Sequence, residues 1–174
     1  RFNFDNKSHW STISTFPSYD IKICWELSRW HWIINLALAW SLTNDQKYIL
    51  KINYLMKSWC LANHLNQGSN WLCGQEVSIR LIHFLQALNL IEGINKNKMI
   101  LSSNNEEFII KHLDRINLTK FYAEAQNNNH WTSEAAALFI GGNLIKFKGK
   151  KYIKKAEKYA NIVRKNLEKS INLL

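Results

Sequence analysis

Proline occurs once in 174 residues and glycine six times. A chain so short of turn formers has little room for a turn-rich β architecture. Cysteine numbers three: Cys24, Cys60 and Cys73. An odd count gives no complete disulfide framework, and the spacing gives no zinc pattern. Each thiol is therefore read as a small buried hydrophobe, and no metal and no cofactor are expected. No run of about eighteen residues is apolar without polar interruption, so no membrane span is expected. No leader peptide is visible either, and the chain opens on Arg1 rather than Met. Acidic residues are also scarce: 13 Asp and Glu stand against 23 Lys and Arg, for a net charge of +10. That balance favours an anionic partner, whether nucleic acid, an anionic membrane or an acidic polymer.

What is abundant is apolar mass. Residues of that class make up 47% of the chain, and eight of them are Trp. One domain with a sizeable core is expected. Trp faces stack on sugars and bases, but most are read as core or half-buried packing residues. After a polar and aromatic stretch over 1–19, the pattern predicts helices near 24–42, 45–63, 74–91, 104–117, 131–147 and 150–170. They alternate in character. The odd ones are apolar nearly all round, the second and fourth amphipathic, and the sixth studded with Lys. Apolar-all-round helices lie inside and amphipathic ones at the surface. The expected fold is therefore all-α, with α/α hairpins stacked into a solenoid or toroid.

A weak repeat supports this: Trp25 with Glu26, Trp71 with Glu76, and Trp131 with Glu134 open the three inner helices. If the hairpins repeat, these three ends share one rim, whose free N–H groups and partial positive charge suit an anion. Helix capping explains each Glu equally well. Three clusters could carry chemistry. In 20–29, Glu26 and Arg29 stand at i, i+3 spacing and can pair, as structure or as a rim group. His31, amid Trp residues, is read as a packed side chain. In 68–80, Asn70 and Trp71 suit a loop presenting an amide and an aromatic face, or a plain turn with a core Trp. Arg80 lies in an apolar helix and needs a partner, for which Glu76 is the obvious candidate. In 127–134, Asn129 and His130 stand at the mouth of the most apolar helix. Asn can donate to a carboxylate and His can move a proton near neutral pH. An N-cap beside a surface His is the plainer reading.

The phrases DIKICWELSR at 20–29, NWLCGQEVSIRLIHFLQALNLI at 70–91 and NNHWTSEAAALFIGGNLI at 128–145 resemble the heparinase II/III-like and alginate lyase families. Order and spacing agree over about 20–147; residues 1–19 show no comparable agreement and are treated as an extension. The resemblance implies an incomplete α/α toroid over 20–174, followed by a β-sandwich domain. It implies β-elimination on a uronate-containing acidic polysaccharide, with Asn129 contacting the carboxylate and His130 assisting neutralisation or proton transfer. Trp25, Glu26, Arg29, Asn70, Trp71, Glu76, Arg80, Trp131 and Glu134 are the implied substrate-binding set. The tyrosine acid of such enzymes is expected beyond Leu174, since Tyr152 and Tyr159 lie within the last helix and do not match it. A periplasmic or secreted location accompanies this reading. A non-catalytic glycan-binding module is the alternative. A nucleic-acid-binding repeat explains the charge but not the acidic rim, because carboxylates repel phosphate.

Overall fold

The computed structural model describes residues 4–14, 20–92, 103–126 and 128–145, with Asn161, Arg164, Lys165 and Glu168 further on. Asp20 opens the helical part by accepting the Lys22 amide at 3.0 Å, and α1 follows over Lys22–Ser28. The single helix expected over 24–42 is broken at Trp30. That residue has φ 63 and ψ 33, in the left-handed region, and α2 begins anew over His31–Thr43. The reason is packing. The Trp30 indole is fully buried, stacks on Phe108 at 5.0 Å and meets Trp59 and Phe84 edge-on. Burial of a large aromatic outweighs the roughly 1–2 kcal/mol cost of a left-handed L-residue. The turn also directs His31 outward, so it is exposed rather than packed among the Trp residues as expected.

Asn44, at φ 53, ends α2 by donating its backbone N–H to Trp40 O at 2.7 Å. Asp45 then caps α3, Lys47–Ala62, through the Lys47 amide. The helix α4 spans Gly74–Glu92, α5 spans Ser103–Gln126 and α6 spans Asn129–Leu144. Thus α5 runs nine residues past the expected 117. The start of α6 falls two residues before the expected 131, where Asn128 Oδ1 accepts the His130 amide at 2.9 Å. Of the helix expected near 150–170, Asn161, Arg164, Lys165 and Glu168 are helical and exposed, and the remainder lies outside the described residues.

Among the described residues there is no strand, and the fold is all-α. The helices α2 and α6 both pack on α4. On the other side, α3 packs on α2, while α5 packs on α4 and α6. Trp30, Ile33, Val77, Leu81, Phe84, Ile109, Leu113, Ala135 and Leu138 are core residues from both layers. The inner helices are the more buried against α3, which buries fully only Ile52. The other outer helix differs, because α5 buries a whole face from Phe108 to Ala123.

Close approach fixes how α6 lies on α4. A Cβ at Gly74 would fall 2.6 Å from Glu134 Oε1, and one at Gly141 would fall 3.5 Å from Leu81 Cδ2 and 3.0 Å from Leu113 Cδ2. Gly74 to Leu81 and Glu134 to Gly141 are equal steps in the same direction, so α4 and α6 run parallel. That places the first turns of both helices at the same end of the molecule.

Candidate functional site

The segment 66–73 is the hub of this end. Gly68 has φ 82, and a Cβ there would lie 2.7 Å from Asn6 Cα, so only glycine fits. Residues 4–14 strap the loop from outside. Ser69 N donates to Asp5 O at 2.8 Å, Gly68 N to Ser8 O at 2.8 Å, and Trp10 N to Asn66 O at 2.9 Å. From inside, Arg80 holds the same loop. Its Nη2 donates to Asn70 O at 3.1 Å and its Nη1 to Ser28 O at 3.4 Å. Its Nε donates to His112 Nε2 at 3.0 Å. His112 Nδ1 faces Phe108 O at 2.8 Å, which can only accept, so the imidazole is the neutral Nδ1–H tautomer. Burial, and after it Arg80, keeps His112 well below its ordinary value. The Arg80 guanidinium also faces the rings of Trp59 and Trp71 at 4.4 and 5.2 Å. Burial brings Arg80 down to about 9, with Glu76 opposing from a distance.

This corrects the expected Glu76–Arg80 pair. Glu76 is instead gripped by Arg29, with Arg29 Nε to Glu76 Oε2 at 2.6 Å and Nη2 to Oε1 at 2.8 Å. Arg29 Nη1 also reaches the exposed Glu26 at 2.7 Å, the i, i+3 pair that the spacing predicts. Arg29 ends α1, and the reversal at Trp30 aims its side chain back at the first turn of α4. Its carbonyl meets His83 Nδ1 at 2.6 Å, and the His83 ring lies 4.4 Å from that of His31. Burial, first among the causes, lowers the His83 pKa. Trp25, half-buried, donates its indole N–H to Ser69 O at 2.9 Å.

Asn70 and Trp71 turn inward. Asn70 Nδ2 donates to Asn63 Oδ1 at 2.7 Å, and Asn70 Oδ1 accepts from the Cys24 thiol at 3.3 Å. Trp71 is buried between Trp59 and His112. Of the thiols, Cys24 is buried as expected, but Cys60 is exposed and Cys73 half-buried.

At α6 the arrangement divides in two. Asn129 is exposed and His130 half-buried, at the very start of the helix. Trp131 and Glu134 are buried. Glu134 Oε2 has no hydrogen-bond partner, and burial raises its carboxyl to about 7 despite Arg115 nearby. Arg115 donates to Trp71 O at 2.8 Å, Leu72 O at 2.9 Å and Thr119 Oγ1 at 3.0 Å, and its guanidinium covers the Trp10 ring at 3.7 Å. Burial lowers it to about 10.

The fold thus gathers the three sequence clusters at one end: α1 against the 68–72 loop, the first turn of α4, and the first two turns of α6. Within that end, Trp25, Glu26, Arg29, Asn129 and His130 keep solvent-facing surface. Asn70, Trp71, Glu76, Arg80, Trp131 and Glu134 are enclosed. Sequence reasoning missed Arg115, His112, His83 and Trp10. Only a charge interrupting the buried face of α5 could have signalled Arg115 and His112.

Among the described residues no three His, Cys, Asp or Glu side chains stand close enough to hold a metal. No helix there is long and apolar enough to cross a membrane. No curated protein and no solved structure matches the chain. The family model of the heparinase II/III N-terminus matches residues 1–173. That match includes the strap as well as the three clusters, and the chain belongs to the heparinase II/III N-terminus family.

Proposed function

We propose that the chain is the helical-toroid part of a polysaccharide lyase that cleaves a uronate-containing acidic polysaccharide by β-elimination, in the periplasm or outside the cell. Membership of the heparinase II/III N-terminus family supports a polysaccharide-lyase context. The observation that carries the finer reading is the surface-facing Asn129–His130 pair, at the same end as the Arg29 and Glu76 couple.

The chemistry sets the requirements. The C5 proton of a uronate is weakly acidic because its own carboxylate is already negative. Asn129 can donate its amide N–H to that carboxylate and stabilise the enolate as charge develops. A base takes the C5 proton, the electron pair forms the C4–C5 double bond, and the C4–O4 bond breaks. The leaving O4 must then be protonated. His130 supplies part of the neutralisation or proton transfer, and the O4 proton is assigned to a residue outside those matched here. The surface-facing Trp25, Glu26 and Arg29 are assigned to substrate, with the enclosed residues holding them in place.

The test is the absorbance of the unsaturated product over a panel of acidic polysaccharides, using the complete enzyme. Asn129→Ala is expected to lower kcat about a hundredfold or more while moving KM little. Unchanged turnover would refute the assignment. Residues 1–174 alone are expected to bind without turnover, since no matched residue protonates O4; product from them would misplace the acid. Binding by the complete enzyme without any product would favour a non-catalytic glycan module.

A further inference from the structure

Glu134 is the one buried carboxylate at this end that no ion pair claims among the described residues. Glu76, its counterpart on α4, is held by two short bonds from Arg29. Glu134 instead lies directly over Gly74, the first residue of α4. An ideal Cβ on Gly74 would stand 2.6 Å from Oε1, 2.8 Å from Cδ and 3.1 Å from Oε2. The carboxyl fills the space that a side chain at 74 would need. Glu134 is 2% exposed, so it offers nothing to a polymer outside. It is four residues after His130, on the same face of α6.

We propose that Glu134 is a positioning residue: seated on Gly74, it sets the register of α6 against α4 and so where Asn129 and His130 stand. The groups around it fit that role. Arg115 faces it from α5 but spends three of its five N–H donors, one from each nitrogen, on Trp71 O, Leu72 O and Thr119 Oγ1. Arg115 thereby ties the hub loop beside Glu134 without drawing the carboxyl off Gly74. Cys73 stands just before α4, and Glu76 lies one turn further on and is already paired. A near-neutral carboxyl serves in such a place, and burial raises Glu134 toward that state. The role rests on the proposed lyase reading only for its effect on turnover; the seating of α6 stands apart from it.

The seat predicts a pattern that a merely stabilising residue would not give. Gly74→Ala should push the carboxyl away, and Glu134→Ala should leave a void above Gly74. Together, the new methyl group occupies the vacated space. Hydrogen–deuterium exchange of the peptide spanning 128–134 in the complete protein is the first readout. Each single variant should speed exchange there roughly tenfold, and the double variant should return toward wild type. Glu134→Gln, which keeps the shape, should exchange as wild type does on the acid side of about pH 7, where Glu134 is protonated. The second readout is kinetic: kcat on the acidic polysaccharide should fall in each single variant with KM little changed, and recover in the double. Additive effects on exchange, or exchange at 128–134 unmoved in both single variants, would overturn the seat. A restored exchange pattern with no lyase activity even in wild type would keep the seat and sink the lyase reading.

Discussion

At the residue scale, Glu134 and Glu76 show how one residue type takes two electrostatic fates within a turn of each other's helix starts. Glu76 meets a guanidinium squarely; Glu134 meets a glycine. A carboxyl whose native value is raised to about 7 from 4.5 stabilises the fold while protonated. That contribution is fully present below about pH 4.5 and is lost as pH rises through about 7. The implied difference is about 3 kcal/mol. Glu134→Gln is therefore expected to flatten the fall in thermal midpoint over this interval and to be the more stable form above it. Parallel melting curves across pH read this directly, and identical pH profiles would contradict it. Asp5 and Asp45, both held below their ordinary value, slope the other way in both proteins and cancel in the comparison. None of this is visible in the letters NHWTSE. Helical spacing marks Glu134 as a neighbour of His130, but Gly74 is 60 residues away and only the parallel packing brings it there.

At the element scale, the break between α1 and α2 is the feature that pattern reasoning could not supply. The run from Trp25 to Leu42 is apolar on nearly every side and contains no proline or glycine, so it reads as one helix. What bends it is the demand of Phe84 and Phe108 for the Trp30 ring, and both are far off in sequence. The competing magnitudes give a prediction. Glycine at 30 would relieve a left-handed backbone cost of roughly 1–2 kcal/mol. It would also remove a buried indole, whose loss costs about 3–5 kcal/mol. Trp30→Gly is thus expected to destabilise by about 1–4 kcal/mol net, read by denaturant unfolding. A neutral or stabilising result would mean that backbone strain, not packing, governs the turn. The expected helix over 74–91 agrees with α4 because its apolar density survives any context. In α5 the phrase KHLDRIN reads as part of an amphipathic helix, and His112 and Arg115 point inward beside its apolar Leu113 and Ile116. Apart from Arg80 and Thr119 their partners are backbone carbonyls, and carbonyls leave no trace in a side-chain pattern.

Across the whole molecule, the charge and the burial divide the work. The all-α class followed from composition and apolar density, whereas the expected contrast between buried odd and surface even helices holds for α3 but not for α5. The solvent-facing side of the site did not follow from either, because six of the eleven residues singled out are enclosed, and burial of a polar residue depends on partners that a local window omits. The chain carries a net charge of +10. Binding of an acidic oligosaccharide by the isolated chain is expected to be weak and to fall steeply with added salt, since screening acts on exposed charges. Titration at low and high ionic strength checks this. Equal affinity for a neutral glucan would remove the electrostatic account.

The aromatic cage around Arg80 has an optical consequence. Trp30 lies 5.3 Å from Trp59, and Trp59 lies 6.1 Å from Trp71, with a guanidinium and a neutral imidazole between and beside them. Indoles this close share their excitation, so light absorbed by one is emitted, or quenched, by all three. Their coupled circular dichroism therefore reports the parting of the α1–α2 turn, α3 and the hub loop, which carry Trp30, Trp59 and Trp71. A loosening of these three elements is thus readable in the protein's own ultraviolet signal, without a label and without a substrate.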